Sequence, residues 1–288
     1  MPELAEVKIM GDFINMVATN QFFEKIEKSP VSKVKTELTA FDGGLFTVKA
    51  ASRGKELMLE LELVGGGPTG EDKRYLMVSL GMSGSWAMVR HDSPKKDEVL
   101  KHAHLRLITN RGDLLVLHDV RRFAKWRWGT WNSDRGPCPL TEFNEFANSV
   151  RANWQTSKAF NSPVNELLMN QGYFNGVGNY LRAEILYRTN VMPFTIAKDL
   201  TRDQLEEILK VTHLCVRDAY TLGGGQLKDW VNPNGVPADG FGAWMQVYGK
   251  GNSVIDKTGR RFWYDPRWEE NVPAAYKRSN TKGIEGDI

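Results

Sequence analysis

Between residues 22 and 130 the chain reads in period two, and beyond about residue 140 it reads in helical period. The clearest stretch is Glu56–Leu63, where leucine takes every second position and acidic residues fill most places between. Such alternation puts one face of a strand against a core and the other in water. Arg74–Leu80, Ser85–Val89, Ala103–Thr109, Asp113–Leu117 and Arg122–Trp128 read as further strands, separated by Gly, Asp and Asn turns. We expect a β-sandwich or barrel, because such strands must bury their apolar faces against each other. One helix leads it: Leu4, Val7, Met10, Phe13, Ile14 and Val17 recur at helical spacing within residues 3–18, with Pro2 where helices tolerate proline.

The polar run Gly129–Leu140 reads as a linker. Helices are expected at Thr141–Ser149, Pro163–Gln171, Asn179–Asn190 and Thr201–Leu222, several opened by a capping side chain. A Gly-rich stretch, Gly223–Gly242, precedes two short strands, Asn252–Asp256 and Arg260–Tyr264, joined by Lys257-Thr258-Gly259 as a β-hairpin. Residues beyond about Pro273 read as a floppy tail. The expected organisation is α+β: an N-terminal β-sandwich domain over 1–130, a linker over 131–142, and a helical domain over 143–288 with the hairpin at about 245–268.

Charge and cysteine usage narrow the function classes. The formal charge is +3 and the pI about 8.7, so affinity for nucleic acid must come from clustered cations. No apolar run approaches the about 20 residues that span a bilayer, and Glu3, Glu6 and Lys8 interrupt any signal-peptide pattern. Two cysteines, Cys138 and Cys215, make neither a disulfide framework nor a four-thiolate zinc site. An intracellular protein is expected, in the nucleus if the source is eukaryotic and otherwise in the cytoplasm or a viral-replication compartment.

Four segments carry chemistry. If Met1 is removed, Pro2 has a free secondary amine, of which about a tenth is neutral and nucleophilic at pH 7. Adjacent Glu3 can move protons; equally, the pair reads as a proline at helix position N1 with a first-turn carboxylate. Gln171-Gly172-Tyr173-Phe174-Asn175-Gly176-Val177-Gly178-Asn179-Tyr180 places a Gly-rich double turn before a helix, which lets backbone N–H groups meet a phosphate or simply connects two helices. Lys55, in Arg53-Gly54-Lys55, is a phosphate-binding cation or a solvated turn residue. Met82, in Gly81-Met82-Ser83-Gly84, and Arg121 and Phe123, in Asp119-Val120-Arg121-Arg122-Phe123, can replace an extruded base, or else pack in the core and pair at the surface.

Together these segments resemble the formamidopyrimidine-DNA glycosylase/endonuclease VIII family, from Pro2 to about Tyr264, and within it the vertebrate endonuclease VIII-like glycosylases with a zincless finger. The resemblance implies a bifunctional DNA glycosylase/AP lyase of base excision repair, acting on oxidised pyrimidines, formamidopyrimidines and hydantoins through a Schiff base and β,δ-elimination. It makes Pro2 the nucleophile, Glu3 the general acid and Glu6 a supporting carboxylate. Lys55 joins the catalytic set while holding phosphate, Asn179 and Arg260 bind DNA, and Met82, Arg121 and Phe123 fill the void. No metal or cofactor is implied, since the iminium is the electron sink. The partner is damaged double-stranded DNA, with bubble or single-stranded DNA as further substrates, clamped by a monomer across a basic cleft. Ala5 replaces the proline of many family members, and Gly223-Gly224-Gly225-Gln226-Leu227-Lys228-Asp229 replaces a lesion-reading lysine by a Gly-Gly-plus-polar loop. Two other readings stand beside this one: a DNA-damage-binding module without catalysis, and an RNA-binding protein sharing only the two-turn motif.

Overall fold

The computed structural model describes residues 2–41, 43–66, 72–225, 232–235 and 239–278. Two compact units emerge, Met1–Pro2 with Glu6–Asn132 and Gly225–Val236, and Glu3–Ala5 with Ser133–Gly224 and Pro237–Ile288.

The first unit holds an antiparallel sheet. Its strands are β1 (Phe23–Lys28), β2 (Phe46–Arg53), β3 (Glu56–Leu63), β4 (Lys73–Ser79), β5 (Ser85–Val89), β6 (Ala103–Thr109), β7 (Leu114–His118) and β8 (Lys125–Trp128). They run in the order β5-β7-β6-β1-β2-β3-β4-β8. β1 and β2 share one register pair, Phe23 opposite Phe46, whose rings stack at 5.9 Å. That thin ladder divides the sheet into the two layers of a β-sandwich. β3 follows the expected alternation, with Leu57, Leu59 and Leu61 fully buried. α1 (Leu4–Ala18) gives this unit all but its first two residues and buries Val7, Met10, Phe13 and Ile14. The Trp86 amide on β5 donates to Met10 Sδ. On the other layer the Asn15 carboxamide exchanges two hydrogen bonds with the backbone of Ala50 on β2, at 2.9 and 2.7 Å.

Besides β1 and β2, which were not among the expected strands, two details of this unit differ from expectation. A short helix, α2 (Lys96–Leu100), lies between β5 and β6 with no buried residue to mark it in an apolar pattern. β8 starts at Lys125 and not Arg122, because Arg122 adopts a left-handed φ of 58° in a turn that cannot continue a strand.

The second unit packs α3 (Phe143–Asn153), α4 (Val164–Leu167), α5 (Asn179–Thr189) and α6 (Arg202–Thr221) around one apolar core. α6 opens with a capping box between Thr201 and Gln204. α4 is shorter than the periodicity implies, because the Asn170 side chain accepts from the Gly172 amide at 3.0 Å and bends the chain into the two turns. α7 (Asp239–Trp244) ends the Gly-rich stretch. β9 (Asn252–Ile255) and β10 (Arg261–Tyr264) form the expected hairpin. The segment after Pro273 is not a loose tail up to Arg278: β11 (Lys277–Arg278) fills the open edge of β9. Tyr276 is buried there and donates to Glu166 Oε1 at 2.7 Å. Residues 279–288 lie outside the described residues. Cys138 and Cys215 are buried free thiols of this unit, and burial pushes the Cys215 thiol up to about 12. Among the described residues no helix is long and apolar enough to cross a membrane.

Leu59 is fully buried in the sandwich, so Leu59→Ala is expected to destabilise the protein by ~2–5 kcal/mol. Thr201→Ala, which removes only a cap, costs ~1 kcal/mol. Urea unfolding of the two variants checks the order.

Candidate DNA-repair site

In the first unit, Pro2 is buried at the foot of α1. One turn on, Glu6 is fully buried, and its Oε1 accepts from the Gly225 amide at 2.8 Å. The carboxylate therefore tethers Gly225 to the helix that follows Pro2. The rest of the Gly-Gly-plus-polar loop, Gln226 to Asp229, lies outside the described residues, as does Met1.

Lys55 stands at the tip of the β2–β3 hairpin. Arg53 pairs with Glu56, leaving Gly54 and Lys55 as a two-residue turn. The two loops expected to face an extruded base are neighbours. Met82 is 41% and Phe123 47% exposed, so neither packs in the core. The Arg121 guanidinium lies 5.1 Å from the centre of the Phe123 ring, a cation–π arrangement.

In the second unit, the Glu3 carboxylate receives the first amides of α5. Gly178 N–H donates at 2.8 Å, Tyr180 N–H at 2.9 Å and Leu181 N–H at 3.3 Å. These are the donors a helix N-terminus leaves unpaired, and the dipole there favours an anion. A Cβ at position 178 would stand 2.3 Å from the Glu3 carboxyl carbon, so only glycine admits the carboxylate so close.

Asn179, the first residue of α5, is held from both ends. Its Nδ2 donates to the Arg261 carbonyl at 2.8 Å. Its Oδ1 accepts from Arg182 Nε and Nη2 at 3.1 and 2.7 Å. Arg182 is itself fully buried. It pairs with Asp256 at 2.8 Å and lies 4.8 Å over the Phe262 ring. Asp256 Oδ1 in turn accepts from the Thr258 amide at 2.9 Å, the Thr258 hydroxyl at 2.7 Å and the Arg260 amide at 3.0 Å. One ion pair thus fixes both Asn179 and the hairpin tip that carries exposed Arg260. Burial pushes the Asp256 carboxyl up, but hydrogen bonds from Thr258, the Arg260 amide and Arg182 together hold it below the ordinary carboxylate range.

Sequence reasoning missed Arg182 and Asp256. A signal existed: α5 is buried continuously from Tyr180 to Leu186, so its two internal charges, Arg182 and Glu184, had to find partners. Glu184 finds Arg188 and the amides of Gln246, Val247 and Tyr248.

Comparison with known proteins shows the family and the fold. Residues 1–126 match the formamidopyrimidine-DNA glycosylase N-terminal domain, and residues 136–230 match the formamidopyrimidine-DNA glycosylase H2TH domain. Human endonuclease 8-like 1 is 34% identical, over 92% of this chain and 72% of that protein. The formamidopyrimidine-DNA glycosylase of Haemophilus influenzae is 32% identical, over 90% of this chain and 92% of that one. The Lactococcus lactis formamidopyrimidine-DNA glycosylase, solved with DNA containing N7-benzyl-Fapy-dG, superposes with a TM-score of 0.72. It is 22% identical and covers 93% of this chain and 99% of its own. The chain belongs to the formamidopyrimidine-DNA glycosylase/endonuclease VIII family. It is a DNA glycosylase of the base excision repair class, in a family whose members also have AP lyase activity.

Asp256→Ala strands buried Arg182 and releases the Arg260 turn. Breaking such a pair costs ~3–5 kcal/mol, read as a fall in the unfolding midpoint. Because the Asp256 carboxyl is held below its unfolded value of 3.8, the parent keeps this stabilisation above that pH and loses it as pH falls further. The variant's stability should be flatter below pH about 4.

Proposed function

We propose that the chain excises oxidised bases and cuts the strand with Pro2 as nucleophile, and that its partner is damaged double-stranded DNA. The observation that carries this reading is Glu3. Its carboxylate is fixed by three amides of the second unit, and it follows Pro2 directly in the sequence, which supports a proton-transfer role next to the secondary amine.

In this reading the neutral nitrogen of Pro2 attacks the sugar C1′, and the glycosidic bond breaks as Glu3 delivers a proton to the departing base. The C1′–O4′ bond then opens as the Pro2 nitrogen gives up its proton, which ends on the O4′ hydroxyl. The C1′–nitrogen iminium acidifies the C2′ proton. Its removal expels the 3′ phosphate by β-elimination, and δ-elimination then expels the 5′ phosphate. Lys55, Asn179 and Arg260 hold phosphates, which position the DNA and carry no sequence information. Met82, Arg121 and Phe123 replace the extruded nucleotide, and Glu6, which accepts from the Gly225 amide, is a supporting carboxylate. Substrates are oxidised pyrimidines, formamidopyrimidines and hydantoins; the Lactococcus lactis relative was solved with oxidised-pyrimidine DNA and with formamidopyrimidine DNA. The protein acts as a monomer where DNA is kept, without a metal or cofactor in the chemistry.

Borohydride added to the processed protein with an abasic duplex should trap a covalent adduct, and a variant with a residue ahead of Pro2 should not. An adduct from the blocked protein overturns the nucleophile assignment. No adduct from processed protein that still binds this DNA favours the damage-binding module. Glu3→Gln should lose base excision by about 10²-fold or more while keeping most of its cleavage of preformed abasic sites, where no base departs. Lys55→Ala and Arg260→Ala should weaken binding and each lower the slope of log K against log salt by about one.

A further inference from the structure

The three residues proposed to enter the DNA sit on two loops joined by one buried carboxylate. Asp119, at the end of β7, is fully buried. Its Oδ1 accepts from the Ser83 hydroxyl and from the Arg121 amide at 3.2 Å. Its Oδ2 accepts from the Ala124 amide at 2.7 Å. Ser83 follows Met82, and Ala124 follows Phe123. Each tip is therefore itself bound to this carboxylate, or is next in the chain to a residue that is.

The contrast in exposure is the second observation. Ser83 is 2% exposed, yet its neighbour Met82 is 41% exposed, and Phe123 beside buried Ala124 is 47% exposed. The anchor is deep while the tips stand in solvent. The loops also touch through backbone: Gly81 has φ 62°, and a Cβ there would lie 2.6 Å from the Phe123 carbonyl carbon. Asp119 is set from behind by its own amide, which donates to the His102 carbonyl at 2.9 Å. Its carbonyl accepts from Arg122 at 3.3 Å, the residue with left-handed φ.

We propose that Asp119, through Ser83, is the positioning residue that holds the Met82 loop and the Arg121–Phe123 loop in one arrangement, and thereby sets how efficiently the enzyme replaces an extruded base in duplex DNA. The proposal rests on the void-filling reading of those three tips. A carboxylate suits the position because it only accepts, and all three facing groups donate. A carboxamide must turn its NH₂ toward one of them and so uncouples part of the arrangement. Ser83→Ala is the gentler change, since it cuts only the link between the loops and leaves both amide contacts of Asp119 in place.

The test compares single-turnover excision of one oxidised pyrimidine from a duplex and from the same strand alone. An unpaired strand has no gap to fill, so the ratio of the two rates isolates the tips from chemistry and from folding. Ser83→Ala and Asp119→Asn should lower duplex excision about tenfold or more while leaving single-strand excision within about twofold. Met82→Ala, Arg121→Ala and Phe123→Ala are run beside them. If those three lower the ratio and the Ser83 and Asp119 variants do not, the positioning role is wrong and the void-filling reading stands. If none of the three tips moves the ratio, the void-filling reading falls and takes this proposal with it. Equal loss on both substrates in the Ser83 and Asp119 variants also overturns it, since that is what a merely structural residue would give.

Discussion

The carboxylate of Glu3 occupies the N-terminus of α5, accepting from the amides of Gly178, Tyr180 and Leu181. Donors at a helix start must be satisfied by something, and here the third residue of the chain does it. The consequence runs both ways. The helix gains a cap of opposite charge, and the residue following Pro2 acquires a fixed place among the elements of the second unit. Glycine at 178 is the steric condition for this approach. The Gly-rich turn before α5 thus admits a protein carboxylate, in addition to any phosphate it meets.

The same device recurs at three other loops. Asp256 gathers the Thr258 and Arg260 amides, Glu184 those of Gln246, Val247 and Tyr248, and Asp119 those of Arg121 and Ala124. A buried acceptor left unmade costs ~1–3 kcal/mol, so each carboxylate holds its loop in the one geometry that satisfies it. Arg182 adds the counter-charge in the second unit, bridging Asn179 and Asp256. The phosphate-binding roles proposed for Asn179 and Arg260 therefore share a single buried support, and Asn179→Ala and Asp256→Ala should not act independently.

Much of the fold is legible because the core pattern is local. The alternation of Glu56–Leu63 appears as Leu57, Leu59 and Leu61 buried, and Thr201 opens α6 where capping chemistry puts it. The hairpin of β9 and β10 lies within one residue of its expected bounds. Departures occur where a long-range contact decides: β11 orders the chain after Pro273 by pairing with β9, and Asn170 cuts α4 short. The candidate site was legible differently. Pro2, Glu3, Lys55, Asn179 and Arg260 were each ambiguous alone and drew meaning from a family resemblance, whereas Arg182 and Asp256 carried no motif, and Asp119 stood inside one without a role of its own.

What the sequence determined by itself was periodicity, capping, turn chemistry and family membership, since each of these is written within short windows or in a string of motifs. Tertiary structure alone decided which donors each buried carboxylate would face. Glu3 meets residues about 175 positions away, and Asp256 meets Arg182 across 74. No local pattern encodes such pairings, because a side chain's hydrogen-bond partner is set by packing in space. Only after the core has formed does burial make those few bonds worth enough to fix a loop.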